Sequence, residues 1–190
     1  MTDTILTLTA LQTLFQTLTM QMLGLDPAVK SSAYKVRIAW PTGGAPAWKI
    51  TDDVVSIQCQ EVDDEYNRQH DVVVSTAVDV ATVKRGRTRV NGVTWVFRGP
   101  NSYDNAQLVK DAIFYDEHKL TLAKSNVYLI PDVAAPRRIP EPFQGQWWER
   151  VDLSMRFNEL VIRNPTAATI ATVPLTISDK DGVIVVTEIS

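Results

Sequence analysis

With 190 residues, 45% of them hydrophobic and 22% charged, the chain has the composition of an ordinary globular protein, long enough for one domain carrying extended arms. A formal net charge of −3 excludes the strongly basic character of a general nucleic-acid coat, and Cys59, the only cysteine, excludes an internal disulfide framework and a multi-thiolate metal site. No apolar run approaches the roughly 20 residues needed to span a membrane, and Met1-Thr2-Asp3-Thr4 lacks the basic and apolar blocks of a signal peptide, so synthesis and assembly in a cytoplasm are expected.

The first predicted element is a helix over about 4–24. Leu8, Leu11, Phe15, Leu18, Met22 and Leu25 recur at three- and four-residue spacing and share one face. Thr2, Asp3 or Thr4 would cap its start, and Gly24 before Asp26-Pro27 would stop it. Its many threonines are poor helix formers, so packing rather than propensity must hold it. The period then changes to two. Tyr34, Val36, Ile38 and Trp40 predict a half-buried strand, closed by the loop Pro41 to Pro46. Val55, Ile57 and Cys59 predict a second strand, and Val72, Val74, Thr76, Val78 and Val80 one face of a third. Lys84-Arg85-Gly86-Arg87 reads as a polar loop, and Asn91-Gly92 as a tight hairpin leading into the alternation of Val93, Trp95 and Phe97.

A second helix is predicted over about 102–124. Ser102 stands at its N-cap, Ala106, Val109 and Ile113 lie on one face, and a break is expected near Tyr115-Asp116. A short strand follows from Val127 to Ile130. Pro136, Pro140 and Pro142 then make Asp132 to Gly145 an extended arm, since prolines at that density exclude helix and central strand. The alternation of Val151, Leu153, Met155 and Phe157 predicts a strong strand. Ile170 to Ile177 and Val183 to Ile189 predict a C-terminal hairpin across Asp179 to Gly182, with Pro174 on an edge. Strands run consecutively rather than alternating with helices. The expectation is an α+β fold: an antiparallel or mixed sheet packed by an N-terminal and a central helix, with extended arms. Residues 1–163 form the domain, including the proline-rich arm 132–145, and 164–190 a hairpin extension.

The sequence carries no phosphate-binding Gly-x-x-x-x-Gly-Lys-Ser/Thr loop, no Gly-x-Ser-x-Gly elbow and no His-Glu-x-x-His. His70 and His118 read as exposed surface histidines, Cys59 as a buried structural thiol. The expectation is a protein that is not an enzyme and takes no cofactor or metal. Glu61, Asp63, Asp64 and Glu65 form the densest acidic cluster. It reads as a solvated strand end, as an intersubunit salt contact, or as a site for Mg²⁺ or Ca²⁺, though without EF-hand spacing. Lys84, Arg85, Arg87 and Arg89 form the densest basic cluster. It reads as a solvated hairpin tip, as a contact with DNA phosphates, or as the partner of a neighbour's acidic cluster in a head-to-tail ring. Trp147-Trp148-Glu149-Arg150 follows the arm. Adjacent strand residues face opposite ways, so one ring can enter the core while the other meets its own arm or a partner.

Gln146-Trp147-Trp148-Glu149-Arg150-Val151-Asp152-Leu153-Ser154-Met155-Arg156-Phe157 resembles the C-terminal strand of phage neck and tail-terminator proteins. Val127-Tyr128-Leu129-Ile130-Pro131 and the N-terminal helix followed by Tyr34 to Pro41 resemble the same family, so the likeness spans most of residues 5–162; the hairpin from about 168 lies outside it. The resemblance implies a small α+β subunit of a homo-oligomeric ring, hexameric in that family, at the tail and neck of a virion. Its implied partners are the tail tube protein, connector and neck proteins, a sheath where one exists, and DNA passing through the lumen. It implies no catalytic residues. A capsid-side connector or stopper ring, and a DNA-binding accessory protein using Lys84 to Arg89, are the alternative readings.

Overall fold

A computed structural model describes residues 3–40, 47–77, 80–143, 145–164, 173–179 and 182–189. Helix α1, Leu8–Met22, starts about four residues later than predicted, at the first residue of its apolar stripe. Thr7 is the cap, its hydroxyl accepting from the Ala10 N–H at 3.1 Å, rather than Thr2, Asp3 or Thr4. Asp3 to Leu6 instead run extended, Thr4 bridging to Ile162. At the other end the Gly24 N–H reaches the Gln21 carbonyl and the Leu25 N–H that of Met20. This double closure needs the left-handed turn that Gly24 adopts at φ 68°. Leu11, Phe15, Leu18 and Met22 are buried as the spacing predicts, while Leu8, in the exposed first turn, is not.

The sheet departs from the sequence reading at its start. Lys30–Lys35 is a short helix, α2, and only Val36–Ile38 is strand, β1. Tyr34 therefore sits on α2, and Trp40, at φ 54°, turns out into solvent; both are exposed. Strand β1 pairs parallel with β2, Val54–Glu61, so the sheet is mixed. A one-turn helix, α3 (Glu65–Arg68), leads to β3, His70–Ala77, which runs antiparallel to β4, Val80–Arg98. Val78 lies outside the described residues.

Strand β4 absorbs two predicted turns. Lys84 to Arg87 are not a loop but lie within its paired length: all four pair with β3, and Arg85 to Arg87 pair also with β9 (Arg150–Arg163). Asn91-Gly92 is not a hairpin either, since Gly92 pairs with Gln60 on one side and Arg156 on the other. Glycine is needed there for close approach: a Cβ at Gly92 would stand 2.8 Å from the Val62 side chain. Tertiary packing has overridden a strong local turn signal.

The central helix breaks where expected, into α4 (Ser102–Ala112) and α5 (Asp116–Ala123), with Asn101 rather than Ser102 at the cap position. Strand β5, Val127–Leu129, and the two-residue β6, Arg137–Arg138, both pair with β9. The proline-rich arm is thus partly docked, and its end forms a small separate hairpin from β7 (Glu141–Phe143) and β8 (Gln146–Trp148). Strands β10, Val173–Asp179, and β11, Gly182–Ile189, form the expected C-terminal hairpin; residues 170–172 lie outside the described residues.

The result is an α+β fold built on a seven-stranded mixed sheet of order β1-β2-β4-β9-β5, with β3 extending it beside β4 and β6 beside β9. Val93, Trp95 and Phe97 of β4, Val151, Leu153, Met155 and Phe157 of β9, and the apolar stripe of α1 close one core with α4 and α5. Phe15, Trp95 and Phe157 form a triangle of rings, Phe15 lying 6.0 Å from Trp95 and 4.7 Å from Phe157, and those two 6.4 Å apart. The Trp95 indole is satisfied by the Thr19 hydroxyl at 2.8 Å, so a threonine unhelpful to helix propensity earns its place as a buried acceptor.

Candidate assembly surfaces

The acidic cluster does not converge. Glu61 ends β2, 3.4 Å from Arg87. Asp63 accepts two hydrogen bonds from Arg68 at 2.9 Å. Asp64 caps α3 through the Tyr66 N–H and lies 3.6 Å from Arg156. Glu65 is exposed in the first turn of α3. Among the described residues no group of three or more His, Cys, Asp or Glu side chains is placed to hold a metal ion.

The basic cluster divides. Arg89 is drawn inward to Glu159, which is 1% exposed. The Glu159 carboxylate accepts from Arg89 Nε (2.9 Å), Arg89 Nη2 (2.6 Å), Asn91 Nδ2 (2.8 Å) and the Leu6 N–H (2.9 Å). Arg89 Nη2 also donates to the Leu6 carbonyl at 2.9 Å. This buried ion pair therefore fastens the segment before α1 to the sheet. Arg87 pairs with Glu61 of its own chain. Lys84 and Arg85 lie farther along β4, opposite Val73 and Val72. One expectation was a basic cluster matching acids on a neighbour; the structure matches half of it within the chain.

The tryptophan pair divides as well. Trp147 is 71% exposed, whereas Trp148 is half-buried. Trp148 lines a cleft of about 420 Å³ with Trp48, Arg98, Glu141 and Pro142. The guanidinium carbons of Arg37 and Arg98 lie 5.1 and 5.7 Å from the Trp48 ring. Glu149 pairs with Arg138 at 2.9 Å. Arg150 grips Asp152 with two hydrogen bonds, 2.8 and 2.7 Å, and reaches Glu141 at 3.1 Å, which Arg98 also contacts at 3.1 Å. Partial burial alone would raise the Glu141 carboxyl, but hydrogen bonds and charge from Arg98 and Arg150 hold it below its ordinary value. Hydrogen bonding to Asp152 above all, then to Glu141, raises the Arg150 guanidinium against its own desolvation.

One other residue falls differently from the sequence reading. His118 is buried, not exposed. It stacks on Tyr115, and its Nε2 lies 3.5 Å from Glu117. Helical spacing with Leu122 turns it inward despite charged sequence neighbours. His70 is exposed at the start of β3. Cys59 is buried as expected, and burial pushes its thiol up to about 12. Glu159, Glu141, Arg98 and Trp48 were not singled out from the sequence, and Asn91 was read only as a turn residue. Glu159 had a signal, since it occupies the inward phase of an alternating strand between Phe157 and Val161.

These features define a class of protein: an α+β fold whose concentrated chemistry is ion pairing and aromatic contact on and around a mixed sheet. The chain belongs to the phage neck terminator protein family, whose model matches residues 9–182. It is accordingly a structural protein of the phage tail and neck, and its place is in the virion. The matched span reaches past 168 into the C-terminal hairpin, beyond the limit drawn from sequence. A search of curated proteins finds no match.

Proposed function

We propose that the chain is the subunit of a hexameric ring that caps the phage tail tube and joins it to the neck, with DNA passing through the lumen. It is a non-enzymatic part that takes no cofactor and assembles in the host cytoplasm. Its partners are copies of itself, the tail tube protein, the connector proteins of the neck and, in a contractile tail, the sheath. The observation that carries this reading is the family match over residues 9–182. The fold supports it: among the described residues β5 ends the strand order and β3 pairs with β4 alone, and the exposed Trp147 stands on a small hairpin beside an Arg-Glu cluster. Aromatic and arginine side chains of this kind anchor protein interfaces. Residues 1–163 are the ring-forming domain and 164–190 an extension available to neighbours. Trp147 to Arg150 and Glu61 to Glu65 contribute to subunit contacts, Lys84 and Arg85 to a neighbour or to passing DNA.

The test is native mass spectrometry and negative-stain imaging of the purified full chain, alone and with tail tubes. Six-membered rings at tube ends are expected. A chain that stays monomeric and leaves tube ends bare overturns the reading. Rings that bind portal or adaptor proteins and ignore tubes replace it with a capsid-side connector.

A further inference from the structure

The sheet has two unlike free margins. On one side β3 pairs only with β4 among the described residues. Its Val72, Val73 and Val74 are 55, 60 and 58% exposed. Successive strand residues face opposite ways, so neither face of this segment is covered. Exposed edge strands are ordinarily blunted by charge, proline or a covering element, and Val72 to Val74 have none of these in their own sequence. Their cross-strand partners are cationic: Val72 stands opposite Arg85 and Val73 opposite Lys84. On the far side β5 ends the strand order, and α5 packs beside it. Between them lies an open, mainly apolar groove of about 610 Å³, lined by Phe114, Leu120, Leu122, Tyr128 and Pro131. Leu120 is 62% exposed there. The acids about this groove are largely exposed, and each has one partner at long range: Asp116 on its wall lies 3.9 Å from Lys119 of the same wall, Glu117 3.5 Å from His118, and Asp132, just past Pro131, 3.8 Å from Arg156. Exposed pairs of this kind contribute little and leave the carboxylates open to further cations.

Each margin supplies what the other lacks. One is a valine ridge flanked by cations, the other an apolar trough whose rim carries three exposed carboxylates beside Lys119. They lie at opposite edges of one sheet, so they cannot meet within a chain, and two non-identical patches joined between copies give a head-to-tail contact. We propose that Val72 to Val74 of one copy seat in the α5–β5 groove of the next copy, with Lys84 and Arg85 facing that neighbour's Asp116, Glu117 and Asp132. This deepens the ring reading and rests on it: it names the surfaces through which subunits follow one another.

The experiment uses the purified full chain with Val73→Cys, Leu120→Cys, and both together, under mild oxidation. Cys59 is buried and protonated and stays silent. The double variant is expected to give a disulfide-linked ladder ending at the ring size, and each single variant none. Light scattering after size exclusion gives the second arm. Val73→Asp, Leu120→Asp and Lys84→Glu/Arg85→Glu each weaken assembly by about tenfold or more, and Asp116→Lys/Glu117→Lys restores the last of them. A disulfide formed by Val73→Cys alone means like meets like and overturns the proposal. So does normal assembly of Val73→Asp and Leu120→Asp, which leaves the ring reading standing. Unchanged assembly of Lys84→Glu/Arg85→Glu with lost DNA binding reassigns those cations to phosphate. A wild-type chain that never assembles overturns the ring reading itself.

Discussion

Replacing Glu159 by alanine removes the acceptor around which the buried network is built. Glu159 is 1% exposed and takes four hydrogen bonds, from Leu6, Asn91 and two nitrogens of Arg89. After truncation the Arg89 guanidinium, its side chain 14% exposed, is left charged and unpaired, retaining only the Leu6 carbonyl. Breaking a buried pair by deleting one partner costs about 3–5 kcal/mol. Slight solvent access at Arg89 favours the lower end, so a loss of about 3 kcal/mol is expected. At a urea slope of about 1–3 kcal/mol per molar, the midpoint falls by roughly 1–3 M with the slope unchanged. Protection of amides near Leu6 and Thr4 falls with it, since the network holds that segment against β9. The control is Arg89→Met/Glu159→Leu, which removes both charges and is expected to recover most of the loss. A Glu159→Ala variant within about 1 kcal/mol of wild type, or a double variant no more stable than the single, refutes the reasoning.

Gly99→Ala is expected to cost about 1–3 kcal/mol in backbone strain alone, because Gly99 sits at φ 109°. A Cβ there would also stand 2.5 Å from the Asp52 carbonyl oxygen; thermal unfolding within 0.5 kcal/mol of wild type would count against this. The Cys59 thiol, pushed up to about 12, is expected to resist maleimide at pH 8 in the folded chain and to react at once in urea. Because its folded value is raised, its contribution to stability is present below the unfolded thiol range of about 8.5 and is lost as pH rises towards the folded value; rapid labelling of native protein would contradict its burial. The Glu141 carboxyl is lowered by Arg98 and Arg150, so its contribution is present above the ordinary Glu value of about 4.3 and is lost as pH falls through the folded one. Glu141→Gln is therefore expected to be less stable at pH 7 and to show a shallower acid dependence below pH 5, read from urea midpoints across pH; parallel pH curves would discount the cluster.

Where burial is decided by periodicity, the sequence was legible. The α1 stripe, the inward residues of β2 and β9 and the break before Asp116 all follow from local spacing that packing then respects. It was illegible where a neighbour distant in sequence decides. Asn91-Gly92 has ideal hairpin chemistry, yet Val62 packs against the glycine and Glu159 recruits the asparagine. Tyr34 and Trp40 keep strand alternation, yet the strand ends at Ile38 and the chain turns out at Trp40. Val72 and Val74 alternate like core residues but stay more than half exposed on β3.

The same distinction explains why the basic cluster is two things. Arg89, Asn91 and Glu159 share the inward phase of β4 and β9 with Trp95 and Phe157, and Arg89 stands directly opposite Glu159 in the register. Charge at an inward position over the core must be paired to be tolerated, so this half of the cluster is structural. Lys84 and Arg85 lie on the same strand beyond that cover, beside valines that no element of the described chain conceals. The proposed contact with a neighbouring copy would meet the hydrophobic and electrostatic demands there. A stretch that reads in sequence as one run of cations is thus divided by the core's edge into a clasp that holds the fold and a pair, Lys84 and Arg85, that lies beyond it.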